Sequence, residues 1–455
     1  MSPWVEVSVE DLVSKRLLQV GDGYRVTNAE LGPAGIPFVR GGDIGNNGNV
    51  DTAPLDRIVN GNAPQVRVKH SRPEDVVFIT KGTVGRVGYL RPPQPTVVFA
   101  PQVAVWRSLD HSRLVPRFLY YLLKSARFQA QLDGVKTHGS MAADYVSISD
   151  QMHFKLPLPP PVVQGQIAAS LGALDDKIDL NRRMNQTLEA MAQALFRSWF
   201  VDFDPVRAKA EGRQPEGMDA ETAALFPSRL VDSGLGEIPE AWQIASLGGL
   251  VDELETGSRP KGGVAGIVEG VPSVGAESVT RIGEYDYGKV KRVPRAFFEG
   301  MRKGKLRSWD VLLYKDGGRP GEFEPKASLV GEGFPFEEMA INEHVYRLRA
   351  DHHLTQSFLY LLLSSETVKE ELRRRGTGVA VPGLNSTALR TMPVLRPTGP
   401  VLRAFDSTAS VLLRKILVTS KESRDLATVR DLLLPKLLSG EIRVGDAEVQ
   451  LAASA

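Results

Sequence analysis

Residues Ile167 to Trp199 read IAASLGALDDKIDLNRRMNQTLEAMAQALFRSW. Alternating steps of four and three pick out Ile167, Leu171, Leu174, Ile178, Asn181, Asn185, Leu188, Ala192, Leu195 and Trp199. This is the 3.5-residue hydrophobic repeat of a coiled-coil seam, with two polar residues at its centre. The seam returns 238 residues later as Phe405, Ala409, Leu412, Ile416, Thr419, Ser423, Leu426, Arg430, Leu433 and Leu437. Its polar interruption, Thr419 and Ser423, falls where Asn181 and Asn185 stood. A second copy in phase points to internal duplication, and each apolar stripe offers the other a cover. Packed antiparallel, the four polar residues would meet near the middle and set the register.

The segments between the helices repeat as well. Trp4-Val5 matches Trp242-Gln243, and Leu12-Val13 matches Leu250-Val251. Ile36-Pro-Phe-Val39 resembles Val271-Pro-Ser-Val274, and Asp75-Val-Val-Phe78 resembles Asp310-Val-Leu-Leu313. Phe118-Leu-Tyr-Tyr-Leu-Leu123 returns as Phe358-Leu-Tyr-Leu-Leu-Leu363, and Leu156-Pro-Leu158 as Met392-Pro-Val394, each leading into a long helix. Short apolar runs bounded by turn formers read as buried strands. The expected fold is therefore mixed α/β (α+β), duplicated with pseudo-twofold symmetry. Two globular domains would sit at opposite ends of an antiparallel two-helix coiled coil. The expected divisions are domain one, 1–160; first helix, 161–203; linker, 204–236; domain two, 237–397; second helix, 398–440; and C-terminal tail, 441–455. At 1.5 Å per residue, Ile167–Trp199 gives a rod of about 50 Å, longer than one turn of B-DNA.

Composition narrows the possibilities. A chain of 455 residues, 42% hydrophobic and 24% charged, is long enough for two or three proper cores. No apolar run approaches the length of a membrane span, and the N-terminus lacks the pattern of a signal peptide. The chain has no cysteine, which excludes disulfides and thiolate metal sites and suits a reducing cytoplasm. A net charge of +2 is too balanced to identify a nucleic-acid binder, so any such reading rests on local patches.

Enzyme signatures are weak. Phosphate-loop and dinucleotide motifs are missing, because Gly304-Lys305 lacks both the earlier glycine and the following hydroxyl residue. His352-His353 reads as a solvated pair whose rings point apart. Asp310, Asp316, Glu324 and Lys326 resemble the acidic set and lysine of a metal-dependent nuclease, a second reading of the chain. A third is a coiled-coil scaffold without DNA specificity.

Local basic clusters favour DNA. Lys289, Lys291, Arg292, Arg295, Arg302, Lys303, Lys305 and Arg307 crowd one stretch, with Glu299 as its sole acid; the first copy carries Arg57, Arg67, Lys69, His70 and Arg72. Two glycine loops hold Lys81, Thr83 and Arg86 in one copy and Lys315 and Arg319 in the other. A third pair, Lys136-Thr-His-Gly-Ser140 and Arg373-Arg-Arg-Gly-Thr377, sets basic and hydroxylic residues beside a glycine. Such groups neutralise phosphates or read base edges. Each alone also fits a solvated surface, a tight turn or a capped helix end. The candidate DNA contacts are thus Arg40, Lys69, Lys81, Thr83, Arg86, Lys136, His138, Ser140, Lys291, Arg292, Lys303, Lys315, Arg319, Arg374 and Thr377. Phe196, Trp199 and Phe200 exceed what a two-helix seam requires; they suit either core packing or a docking surface for another subunit.

The duplicated layout, Lys81-Gly-Thr-Val-Gly-Arg86, the proline segment leading into Gln164-Gly-Gln-Ile167, and Leu195-Phe-Arg-Ser-Trp-Phe-Val-Asp-Phe203 together resemble the specificity (S) subunits of type I restriction-modification systems. The resemblance implies two target-recognition domains, each reading half of a split double-stranded DNA sequence, and a helical spacer fixing the gap. It implies no catalysis and no cofactor in this chain. Methyltransferase (M) subunits, two of them, would dock on it and use S-adenosylmethionine. Restriction (R) subunits driven by ATP and requiring Mg2+ would join them.

Overall fold

The computed structural model describes residues 4–54, 56–135, 145–284, 288, 290–317, 323–334, 336–376 and 382–445. It falls into two compact units, Met1–Lys177 with Leu426–Ala455, and Ile178–Asp425. The long helices Pro161–Phe200 and Gly399–Ser439 each contribute to both.

In unit 1, an antiparallel sheet runs in the order Leu18–Asp22, Val103–Ser108, Val76–Ile79, Val87–Tyr89. Helix Pro116–Lys124 lies on it with Phe118 to Leu123 all buried. Ile167, Ala168 and Leu171 of the first long helix and Leu433, Leu434, Leu437 and Leu438 of the second complete this core. The N-terminal strand Val5–Ser8 pairs with Lys155–Leu158, just before the prolines that start the first helix. There the Gln164 side chain, almost wholly buried, accepts from the Val115 amide at 3.0 Å and donates to the carbonyls of Arg113 and Pro159. Three backbone groups at a proline-rich corner are thereby satisfied by one amide.

Unit 2 repeats the plan. Its sheet runs Val251–Thr256, Val345–Ala350, Val311–Tyr314, Ala327–Leu329, and strand Gln243–Ser246 pairs with Pro393–Arg396. The stretch expected to be a linker is folded instead. Helices Asp204–Ala210 and Ala220–Ala224 and the hairpin Leu230–Ser233/Gly236–Pro239 put Phe203, Val206 and Phe226 into the unit 2 core. Pro205 at the first turn of its helix costs no hydrogen bond there.

Within each unit the long helices run antiparallel, since rising numbers on the first meet falling numbers on the second. In unit 2, Phe200 packs edge-on to Phe405 at 4.9 Å, Asn185 donates to Ser420 Oγ at 3.0 Å, and Asn181 to Glu422 at 2.9 Å. Thr419 Oγ1 donates to the Asn185 side-chain oxygen. Ser423 does not take part across the seam; its hydroxyl donates to the Thr419 carbonyl of its own helix. In unit 1, Arg430 stands where an apolar seam residue is expected, and Asp175 explains it. The Asp175 carboxylate is 3% exposed, accepts from Arg430 Nη1 at 2.6 Å and from the Tyr121 hydroxyl at 2.6 Å. A single charge thus ties both helices to the domain. Unit 2 has an analogue in Glu189, which accepts from Arg281 and from the Tyr360 hydroxyl.

Removing one member of a buried ion pair strands the other. Arg430→Met should lower the stability of the full chain by about 3 kcal/mol in urea unfolding. Asp175→Leu combined with Arg430→Met should recover most of that loss. A single variant as stable as the parent would refute the anchoring role.

Candidate nucleic-acid interface

In unit 1, the glycine loop joins strands Val76–Ile79 and Val87–Tyr89. Gly82 (φ +88) and Gly85 (φ +96) adopt backbone that side chains avoid, which lets the loop turn tightly. Its base is fastened: Gln129 donates to the Gly85 carbonyl at 3.0 Å and Thr80 to the Gln102 carbonyl at 3.0 Å. Its tip, with Lys81 and Thr83, is exposed. Lys81 bridges to Tyr145, and the Val146 amide donates to the Thr80 carbonyl at 2.9 Å. The glycine loop is therefore laced to the far end of the segment holding the third candidate loop.

Unit 2 builds the same junction with different chemistry. Asp316 bridges to Gly383, the Gly317 amide donates to Pro382, and the Leu384 amide to Lys315. Lys315 Nζ donates to Asp316 at 2.5 Å, and His344 Nδ1 contacts the same carboxylate. Burial would raise the Asp316 pKa, but Lys315 and His344 outweigh it and leave the group below the usual carboxylate range. Lys303, Lys315 and Arg390 converge on one cavity beside this loop.

The other sequence candidates separate into engaged and open groups. Arg86 is half-buried and donates to the Ile44 carbonyl at 2.9 Å, a structural duty. Arg292 donates to the Gly270 carbonyl at 2.8 Å, as Arg57 does to Gly35 at 3.3 Å. Arg40 pairs with Asp56 at 2.7 Å, Lys69 with Asp22 at 2.6 Å, Arg374 with Glu371 at 2.6 Å, and Lys291 lies 3.6 Å from Glu277. Lys81 and Lys303 are exposed without an ion-pair partner among the described residues. Lys136, His138, Ser140, Arg319 and Thr377 lie outside the described residues.

Three expectations need correction. Phe196, Trp199 and Phe200 are buried, at 3%, 8% and 5% exposure, and so offer little to another subunit. Residues 203–242 fold over them, so that Trp199 meets Phe226 at 5.0 Å and Phe200 meets Trp242 at 5.7 Å. The His352 and His353 rings lie 3.8 Å apart, because a turn rather than an extended strand carries them. His353 Nδ1 faces the Arg396 guanidinium at 2.8 Å, which opposes a cation there. The nuclease-like set does not assemble either. Asp310 is fully buried under Arg347 and Arg349, and Glu324 is held by two nitrogens of Arg373 at 2.8 and 2.9 Å.

Sequence reading passed over the buried ion pair shared by both units. Asp75 receives Nε and Nη2 of Arg107, each at 2.7 Å, and the Arg72 amide at 2.8 Å. Asp310 receives Arg349 Nε at 2.9 Å, Arg347 Nε at 2.8 Å and the Arg307 amide at 2.7 Å. Burial, then the nearby Arg349 charge, pushes Arg347 down to about 10. The signal was present: an acid opens each matched strand, and an arginine occupies the matched position of its neighbour.

Residues 1–190 match the family model described as the type I restriction modification DNA specificity domain. The chain is 27% identical over 372 residues to the type I restriction enzyme HindI specificity subunit of Haemophilus influenzae, covering 72% of this chain and 78% of that one. It is 25% identical over 344 residues to the MjaIX specificity subunit of Methanocaldococcus jannaschii, covering 73% and 70%. The crystal structure of the type I restriction-modification S subunit from M. genitalium superposes with a TM-score of 0.54 over 96% of both chains at 14% identity, a likeness of fold alone.

The Asp316 cluster gives a pH signature with a definite sign. Its folded pKa is depressed, so its contribution is complete above the unfolded carboxylate value and lost as pH falls through the lower, folded value. Asp316→Asn should remove that acid-dependent part of the unfolding titration and speed amide exchange at Gly317 and Leu384. Identical titrations for parent and variant would refute the assignment.

Proposed function

We propose that the chain is a type I restriction-modification specificity subunit, that each globular domain reads one half of a split double-stranded DNA target and that the helix pair sets the gap; the match of residues 1–190 to the specificity-domain model and the likeness to two specificity subunits support this reading. The observation that carries this reading is repetition. Each unit has its own glycine loop, fastened at its base and laced to a second loop, and both units are built on the same two helices. Loops on a rigid sheet can change their target without disturbing the core beneath.

The chain acts by recognition alone. Of the nuclease-like carboxylates, Asp310 and Glu324 are committed to arginines and Asp316 to Lys315 and His344, and S-adenosylmethionine, ATP and Mg2+ belong to partner subunits. Those partners are two methyltransferase subunits, which use the target the chain presents, and restriction subunits. Buried Phe196, Trp199 and Phe200 favour docking on other surfaces of the helices. Among the described residues no helix is long and apolar enough to cross a membrane, and the proposed place of work is the cytoplasm. Arg40, Lys69, Lys81, Thr83, Lys291, Lys303, Lys315 and Arg374 remain the DNA-contact candidates on described, solvent-reachable positions.

The spacer is testable at one place. Ile416 and Leu417 are buried in the unit 2 core and Leu433 in that of unit 1, so removing either region would damage a domain. Seven residues inserted after Lys177 and seven after Asp425 leave both units intact and preserve the seam. Seven helical residues add about 10 Å, or about three base pairs. Mapping methylated adenines in cells carrying the altered chain should show both half-sites unchanged and the gap longer by about that amount. An unchanged gap would refute the spacer role.

A further inference from the structure

The cavity beside the unit 2 glycine loop, of about 710 Å³, carries an imbalance of charge that its residues do not settle among themselves. Two carboxylates line it. Glu255 accepts from Arg347 at 2.8 Å and from the Gly304 amide at 2.9 Å, and Asp316 is held by Lys315 and His344. Both negative charges are therefore already compensated. On the other side, Arg390 spends one guanidinium nitrogen on the Leu254 carbonyl at 3.1 Å, and Lys303 has no ion-pair partner among the described residues. The wall that carries Arg390 is braced from behind, because the buried Tyr346 hydroxyl donates to the Leu384 carbonyl at 2.9 Å.

Unit 1 shows what a neutralised version looks like. Asp22 pairs with Ala104, two residues before Trp106, as Thr256 pairs with Tyr346, two before Leu348. Trp106 and Leu348 are themselves matched through their partners Val76 and Val311. A cation approaches this position in each unit, Lys69 just before the His70 bridge to Val98 and Lys303 just before the Lys305 bridge to Ala340. Lys69 finds Asp22 at 2.6 Å; Lys303 shares its cavity wall with Thr256, which carries no charge.

We propose that this unit 2 cavity seats a backbone phosphate of DNA, with Lys303 and Arg390 as its ligands and Lys315 closing the third side. The proposal rests on the DNA-specificity reading and adds an asymmetry to it: unit 2 carries a sequence-independent phosphate grip where unit 1 has closed its cation onto an aspartate. Arg390 belongs to the helix Ser386–Arg390 that directly follows the second laced segment, so the grip adjoins the loop in the chain as well as in the cavity.

The test uses the full chain assembled with its methyltransferase subunits, on a duplex carrying the mapped target and on a scrambled duplex of the same length. Binding is followed from about 50 to 200 mM salt, the range over which phosphate contacts are strongly salt-dependent. Lys303→Gln and Arg390→Gln should each reduce the slope of log K against log salt by about one. Affinity for the two duplexes should fall by the same factor, and the methylated sequence should stay the same. Lys303 is exposed, so its variant separates the effect from any failure to fold. An unchanged slope overturns the proposal. So does a changed methylated sequence, which would make these residues base readers. A parent complex that binds both duplexes equally would instead sink the specificity reading, and the slopes on the scrambled duplex would still decide the phosphate seat.

Discussion

A helix of forty residues with a single apolar stripe has no stable existence alone in water, and this chain contains two such helices. Each must be covered along its length, and antiparallel pairing is the arrangement found in both units. Apolar contacts alone would tolerate a slip of one heptad. The polar contacts do not: Asp175 has one arginine opposite it, and Asn185 has one threonine and one serine. Moving the seam by seven residues would take Arg430 away from the buried Asp175 carboxylate, at a cost of several kcal/mol. Register here is set by the penalty for being wrong more than by the gain for being right.

Buried acids on the first helix also join the helices to the domains. Asp175 takes Tyr121 and Glu189 takes Tyr360, and both tyrosines lie on the apolar helix that backs each sheet. The matched positions are one residue out of step, and the second cation comes from the helix in unit 1 but from a domain loop in unit 2. What repeats is therefore a physical solution, a buried acid on the first helix held by a phenol and an arginine, and not an aligned set of residues. Asp75 and Asp310 repeat more strictly, because each sits at the start of a central strand where its carboxylate also caps a turn.

Much of this was legible in the sequence because it is periodic. The seam, the apolar helix starting at Phe118 and Phe358, and the strands after Asp75 and Asp310 all announce themselves by spacing. Arg430 shows where spacing runs out: as a charged residue in an apolar series it reads as a defect, and only the opposite helix reveals Asp175. The cluster Phe196, Trp199 and Phe200 failed for a similar reason. A polar, glycine- and proline-containing stretch reads as a linker, yet Phe203, Val206 and Phe226 are enough to bring it back over the aromatics. Surface cations were the least legible. Lys69 and Lys303 look alike in the chain, and their difference lies in whether residue 22 or residue 256 bears a charge.

That difference bears on how such a duplicated chain can diverge. A domain whose core is held by Asp75–Arg107 or Asp310–Arg349 can change its glycine loop, since neither pair bonds to that loop. Loop residues are then free to close onto each other, as Arg40 does with Asp56, or to stay open toward a partner, as Lys81 does. The helices have no such freedom, because their polar contacts tolerate neither a slip nor a change of length on one side alone. Variation is thereby driven into the loops and excluded from the seam, which is the division of labour that the proposed half-site reading at a fixed gap would require.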